Sequence, residues 1–186
     1  MKFIVNQAQG SGADEGAGAS LFNTAMGRCA IAWGTRGIAG VQLPEQNDAA
    51  TLARLLAFTG PLPQCQPPPS VQAAVQQITA LLAGQPHDLS ALVLDFSRLT
   101  PFRQRVYAAA CAIPAGETRT YGELAAALGN ANANAARAVG QALGFNPFAP
   151  VVPCHRILAA GGKPGGFSAH GGACTKLQML AAERSA

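Results

Sequence analysis

The chain has 186 residues, 49% apolar and 12% charged, with 21 glycines and 13 prolines; this excludes a disordered chain and predicts one or two small folded domains rich in turns. The net charge of +4 is uneven: residues 1–91 carry four Lys/Arg against five Asp/Glu, and residues 92–186 carry nine against four, so an acidic partner such as a phosphate backbone falls to the C-terminal half. No apolar run reaches membrane-span length, the start MKFIV is too short for a signal peptide, and five widely spaced cysteines without a Cys-x-x-Cys pair predict neither a disulfide framework nor a zinc site, which fits a reducing, cytoplasmic setting.

Along the chain, residues 7–19 (QAQGSGADEGAGA) are small, polar and Gly-rich and predict a flexible loop or tail. Residues 29–34 (CAIAWG) and 37–43 (GIAGVQL) predict a hairpin around Gly34, Thr35 and Arg36. Leu52, Leu55 and Leu56 stand at helical spacing within 48–58. Residues 60–69 hold five prolines and predict a loop. Ser70 is then the expected N-cap of a helix that turns Val71, Ala74, Val75, Ile78, Leu81 and Leu82 to one side and closes at Gly84. A boundary between an N-terminal unit, 1–90, and a C-terminal unit, 91–186, is expected near 85–92, with 91–95 (ALVLD) as a strand or a lead into the second unit.

Thr100-Pro101 has the pattern of a helix start with proline in first position. Phe102, Val106 and Ala110 mark its inner face, and Ile113-Pro114-Ala115-Gly116 ends it. Thr120-x-x-Glu123 is a capping box for a short helix that Gly129 closes. Residues 134–143 (NAARAVGQAL) predict another helix, stopped by Gly144, and Asn146-Pro147 turns the chain. Two short helices with a tight connection, the second rich in small residues, have the pattern of a helix-turn-helix.

The run Val151-Val152-Pro153-Cys154-His155-Arg156-Ile157-Leu158 carries the chemistry. Proline interrupts a β-branched run and can present the next side chain at a pocket. Cys154 alone has ionisable neighbours that favour a thiolate; Cys29, Cys65, Cys111 and Cys174 read as structural thiols. A cysteine protease or other thiol hydrolase is the rival reading of a Cys-His pair, although no protease signature accompanies it.

The Pro153-Cys154-His155-Arg156 motif, with Val-Val before and Ile-Leu after, resembles the active-site motif of the O6-alkylguanine-DNA alkyltransferases. The resemblance runs over residues 95–183, through FRQRVYAAACAIPAGETRTYGELA, AARAVGQALGFNP and PCHRILAAGGKPGGFSAHGG to Lys176 and Glu183. Residues 22–90 fit the family's variable N-terminal domain loosely. The resemblance implies an α/β N-terminal domain with a small sheet, and a mostly helical, winged-helix-like C-terminal domain bearing the helix-turn-helix. It implies irreversible transfer of an alkyl group, methyl above all, from O6-alkylguanine, or O4-alkylthymine, in double-stranded DNA. The acceptor is Cys154, used once, in a monomer that needs no cofactor or metal.

Roles follow from the same resemblance. His155 is the base for the thiol, through a water, and Glu183 orients it. Asn146 braces the turn before the active-site segment. Tyr121 acts near the target phosphate and supplies a proton toward the leaving oxygen. Arg137 enters the stack where the base has flipped out, and Ala135, Ala136 and Ala138 let its helix approach a narrow minor groove. Ser168, Phe167 and Pro153 wall the guanine pocket. The stretch Asn130–Asn134 is longer than the family's pattern, and His170 lies in a lengthened pocket loop. The alternatives within the same fold are a non-catalytic sensor of alkylation damage, which would lack the acceptor cysteine, and a DNA-binding regulator of the adaptive response.

Overall fold

Short strands separated by Gly-containing turns build a three-stranded antiparallel meander in the order β1 (Gly18–Thr24), β2 (Gly27–Gly34) and β3 (Gly37–Gln42). The computed structural model describes residues 16–85 and 87–184. The predicted hairpin is present, with Gly34 opposite Gly37 and Ala30 opposite Gln42. Gly37 has φ +112°, and a Cβ there would lie 2.4 Å from the Val93 carbonyl oxygen, so the turn requires glycine.

The Gly-rich loop expectation holds at Gly16 and Ala17, which lie in no helix or strand, and fails at its last two residues. Residues 7–15 lie outside the described residues, but Gly18 and Ala19 open β1, opposite Trp33 and Ala32. The cause is close packing: a Cβ on Gly18 would lie 2.4 Å from Cys65 Sγ and 2.7 Å from the Trp33 ring. Glycine here marks a tight contact inside a strand.

Later segments cover the outer edge of β3. Ile38 N–H donates to Val93 O (2.9 Å), Asp95 N–H to Ile38 O (2.8 Å), and Val41 N–H to Pro147 O (2.7 Å). Residues 91–95 therefore contribute a single parallel bridge, Leu94 to Ile38, rather than a strand. The sheet also holds the turn at Pro147 that leads to Cys154.

Asn47 caps α1 (Asp48–Thr59), its side chain accepting from Ala50 N–H. The second helix, α2 (Pro69–Leu82), starts before the expected cap: Pro68 is at the N-cap and Ser70 lies in the first turn. Proline's fixed φ suits the first helical position, and its missing N–H is one that needs no cap. Thr100 caps α3 (Pro101–Cys111), and Tyr107, missed as a core residue, is wholly buried with its hydroxyl donating to Ala142 O (2.9 Å).

After β4 (Arg119–Thr120) comes α4 (Tyr121–Ala127), whose capping box is complete in both directions. Asn132 caps α5 (Ala133–Gly144) through Ala135 N–H (2.8 Å), so one of the additional asparagines has a structural use. A 3-10 turn (Cys154–Arg156), β5 (Ile157–Leu158) and α6 (Ala173–Arg184) complete the described chain.

One apolar cluster joins the sheet and α2 to Val151 and to Met179 of α6. A second joins α3, α4 and α5 to Phe148, Val152, Cys154 and Ile157. The reactive segment is thus packed by both. No helix among the described residues is long and apolar enough to cross a membrane.

Candidate active site and nucleic-acid interface

Val151, Val152 and Pro153 are buried, and Pro153 (φ −81°, ψ 65°) bends the run into the 3-10 turn that carries Cys154. Cys154 N–H donates to Val152 O (2.8 Å), and Arg156 N–H to Pro153 O (3.0 Å). The thiol residue is only 7% exposed. Burial raises its pKa, opposed by a hydrogen bond from Asn146, by the Lys176 ammonium and by backbone N–H groups. Asn146 Nδ2 donates to Val152 O (2.8 Å), and its Oδ1 accepts from Phe148 N–H (3.0 Å).

His155 is 1% exposed, and its Nε2 lies 2.8 Å from Glu183 Oε1. Burial would raise the Glu183 carboxyl, but hydrogen bonds from His155 and Arg156 and the charge of the Arg156 guanidinium outweigh it and hold the group at about 2. Glu183 is therefore an anion that accepts a proton-bearing Nε2. Burial lowers His155, against the pull of Glu183, so the ring is neutral at ordinary pH. Its proton sits on Nε2, and Nδ1, buried without a partner, is left as a bare acceptor.

Two residues that received no role from the sequence complete the site. Arg156 donates from Nε to both Glu183 oxygens (3.1 and 3.0 Å), from Nη2 to Oε1 (2.7 Å), and from Nη1 to Ile113 O (2.6 Å). Gly116 N–H adds a contact to Glu183 Oε2 (3.3 Å). Lys176 is wholly buried, donates from Nζ to Ile157 O and lies 5.7 Å from the centre of the Tyr121 ring. Both residues stood inside the quoted motifs, which was the only available signal. Buried charges need close partners, and these partners come from segments distant in sequence.

Tyr121, the first residue of α4, is half-buried against Gly165 of the pocket loop and Gly140 of α5. Burial, then the proximity of Cys154, raises its pKa, so it is a phenol with a proton to give. On α5, Val139, Ala142 and Leu143 face the core, Ala135, Ala136 and Ala138 are half-buried, and Arg137 is exposed. Phe167 packs against both apolar clusters, and Ser168 is exposed, its carbonyl receiving Arg54 Nη2 from α1 (2.6 Å). Pro153 lines a cavity of about 440 Å³ with Arg156 and Cys111, and neither Phe167 nor Ser168 contributes to it. His170 offers its carbonyl to the Thr175 hydroxyl (2.6 Å) at the start of α6. Among the described residues no group of three or more His, Cys, Asp or Glu could hold a metal ion.

A family model described as the 6-O-methylguanine DNA methyltransferase DNA-binding domain matches residues 101–185. A methylated-DNA–protein-cysteine methyltransferase of Mycobacterium tuberculosis is 45% identical over 118 residues, 63% of this chain and 68% of that protein. The chain belongs to the O6-methylguanine-DNA methyltransferase family. The crystal structure of Mycobacterium tuberculosis OGT in complex with DNA superposes with a TM-score of 0.71 at 35% identity, covering 90% of this chain and 92% of that one. A longer relative, the regulatory protein ada of Salmonella typhimurium, is 38% identical over 88% of this chain, which spans 44% of it. The architecture expected of the methyltransferase family, a small sheet with helices followed by a mostly helical part, is the one found.

Proposed function

We propose that this chain repairs DNA by direct reversal, moving an alkyl group from the O6 of guanine in a duplex to Cys154. The observation that carries the reading is the buried array of Cys154, His155 and Glu183, with its bare acceptor at His155 Nδ1. The thiol proton passes through a water to Nδ1, and Glu183 stabilises the resulting imidazolium. The thiolate attacks the alkyl carbon, so a C–S bond forms and the C–O6 bond breaks. Its electron pair goes to the guanine, which takes a proton from Tyr121. Proton return from His155 to the phenolate closes the balance, and no cofactor enters. A thioether sulfur is a poor leaving group, so each molecule acts once. The protein does so as a monomer in the cytoplasm.

The remaining assignments belong to the same reading. Arg137 fills the gap left by the flipped base, and Ala135, Ala136 and Ala138 let α5 approach the minor groove. Phe167, Ser168 and Pro153 flank the base. Residues 91–186 carry DNA binding and chemistry, and residues 1–90 support them. The kinship with a regulatory protein favours a second reading, control of the adaptive response, in a longer polypeptide.

The test is to incubate the protein with duplex DNA carrying a radiolabelled O6-methylguanine. Label is expected on Cys154 at about one per molecule, and Cys154→Ser is expected to accept none while still binding the duplex. Label on Cys29, Cys65, Cys111 or Cys174, or repeated turnover, overturns the proposal.

A further inference from the structure

Phe145, directly after α5, is 66% exposed, the highest value among the exposed large apolar residues described. The guanidinium carbon of Arg103 lies 5.0 Å from the centre of its ring. Arg103 stands in the first turn of α3 and meets no carboxylate among the described residues. Nothing in the assigned site uses either side chain.

The geometry of α5 gives them a partner. Arg137, Gln141 and Gly144 are exposed and recur at i, i+4 and i+7, opposite the buried Val139, Ala142 and Leu143. Phe145 prolongs that outward stripe, roughly 12 Å along the axis from Arg137 at 1.5 Å per residue. The same length spans between three and four steps of one B-DNA strand at about 3.4 Å each. An exposed ring beside an unmatched cation suits a surface that alternates apolar sugar edges with anionic phosphates. An apolar protein face would leave the guanidinium without a counter-charge.

We infer that Phe145 and Arg103 form a second anchor on the DNA backbone: Arg103 pairs with a phosphate three or four steps from the extruded nucleotide, and the Phe145 ring lies on the adjoining deoxyribose. The inference rests on the reading that α5 faces DNA. Stacking on Phe145 holds the guanidinium in place before binding, so less side-chain freedom is lost on contact.

The experiment measures affinity for an unmodified duplex across a salt series for wild type, Arg103→Ala, Phe145→Ala and the double variant, with transfer from free O6-benzylguanine as a separate arm. Arg103→Ala is expected to reduce the salt slope by about one. Each single variant should weaken binding about fivefold, and the double variant by less than the product, since the two share one contact. Arg103→Lys should restore the slope. Unchanged slope and affinity in both single variants overturn the anchor. Equal losses on the free base overturn it also, because the pair then supports the fold, as does loss of self-association in Phe145→Ala by sedimentation. If wild type accepts no alkyl group from either substrate, the proposed function fails, while the duplex series still decides the anchor.

Discussion

The arginines of the sheet unit and those of the helical unit are handled differently. In the first, Arg28 meets Asp48, Arg36 meets Asp95 and Arg54 meets Glu45. In the second, Arg119 meets Glu117 and Arg156 meets Glu183, but among the described residues Arg103, Arg105 and Arg137 meet no carboxylate. A matched cation is spent within the protein, whereas an unmatched one remains available to a polyanion. The uneven formal charge therefore understates the contrast. Burial separates the matched pairs further: the Glu183 side chain is 3% exposed, and those of Arg28 and Asp48 are 50% and 46% exposed.

Glu183→Gln should break this comparison most, because it leaves the Arg156 guanidinium buried without a counter-charge. We expect a loss of ~3 kcal/mol, seen as a fall in Tm of roughly 6–12 °C by calorimetry, together with slower transfer from free O6-benzylguanine. The pH dependence has a definite sign. The folded carboxyl, at about 2, lies below its ordinary value of 4.5. Its contribution is full above 4.5 and disappears as pH falls toward 2, because the unfolded chain takes up the proton first. Denaturant titrations should show that loss in wild type and a flatter profile in the glutamine variant.

Arg137→Ala should come next. We expect repair of duplex DNA to slow by about 30-fold, on the order of 2 kcal/mol of uncompensated unstacking. The rate with free O6-benzylguanine should hardly change. An unaltered ratio of the two rates would mean that an unmatched arginine on α5 is only solvated charge. Arg54→Ala is expected to be smaller. It removes the hydrogen bond to the Ser168 carbonyl, worth ~1 kcal/mol, so the concentration of free base giving half-maximal transfer should rise about fivefold while Cys154 alkylation by iodoacetamide keeps its rate. Arg28→Ala should shift stability by less than ~0.5 kcal/mol and leave the salt dependence of DNA binding untouched. A steeper effect would show that exposed pairs of the sheet unit matter more than their solvation allows.

Much of the local structure was legible because its causes are local. The capping box at Thr120 and Glu123, the proline at the start of α3 and the turn at Thr35-Arg36 each follow from chemistry within a few residues. What depends on distant packing was not legible. Gly18 looked like linker because the tryptophan and cysteine that demand a missing side chain lie well downstream. Ser70 looked like a cap because the three prolines before it were read as loop. At the site, Cys154 and His155 could be named from the motif. The bond from Arg156 to Glu183 joins residues 27 apart, and the one from Arg54 to Ser168 joins residues 114 apart. No sequence pattern encodes either.

The smallest sheet in the molecule has the largest consequence for its size. Strands β4 and β5 pair in parallel through two rungs, Arg119 with Ile157 and Thr120 with Leu158. Tyr121 follows the second rung directly, and Cys154 opens the turn just before the first. The ladder thus works as a gauge block between the proposed proton donor and the sulfur. Its graduations are coarse, because strand register changes only in whole residues of about 3.3 Å, while a misplacement of about 1 Å can already cost a hundredfold in rate. A slipped rung would therefore give no slower version of the same reaction, only a folded molecule whose two working parts are out of tolerance.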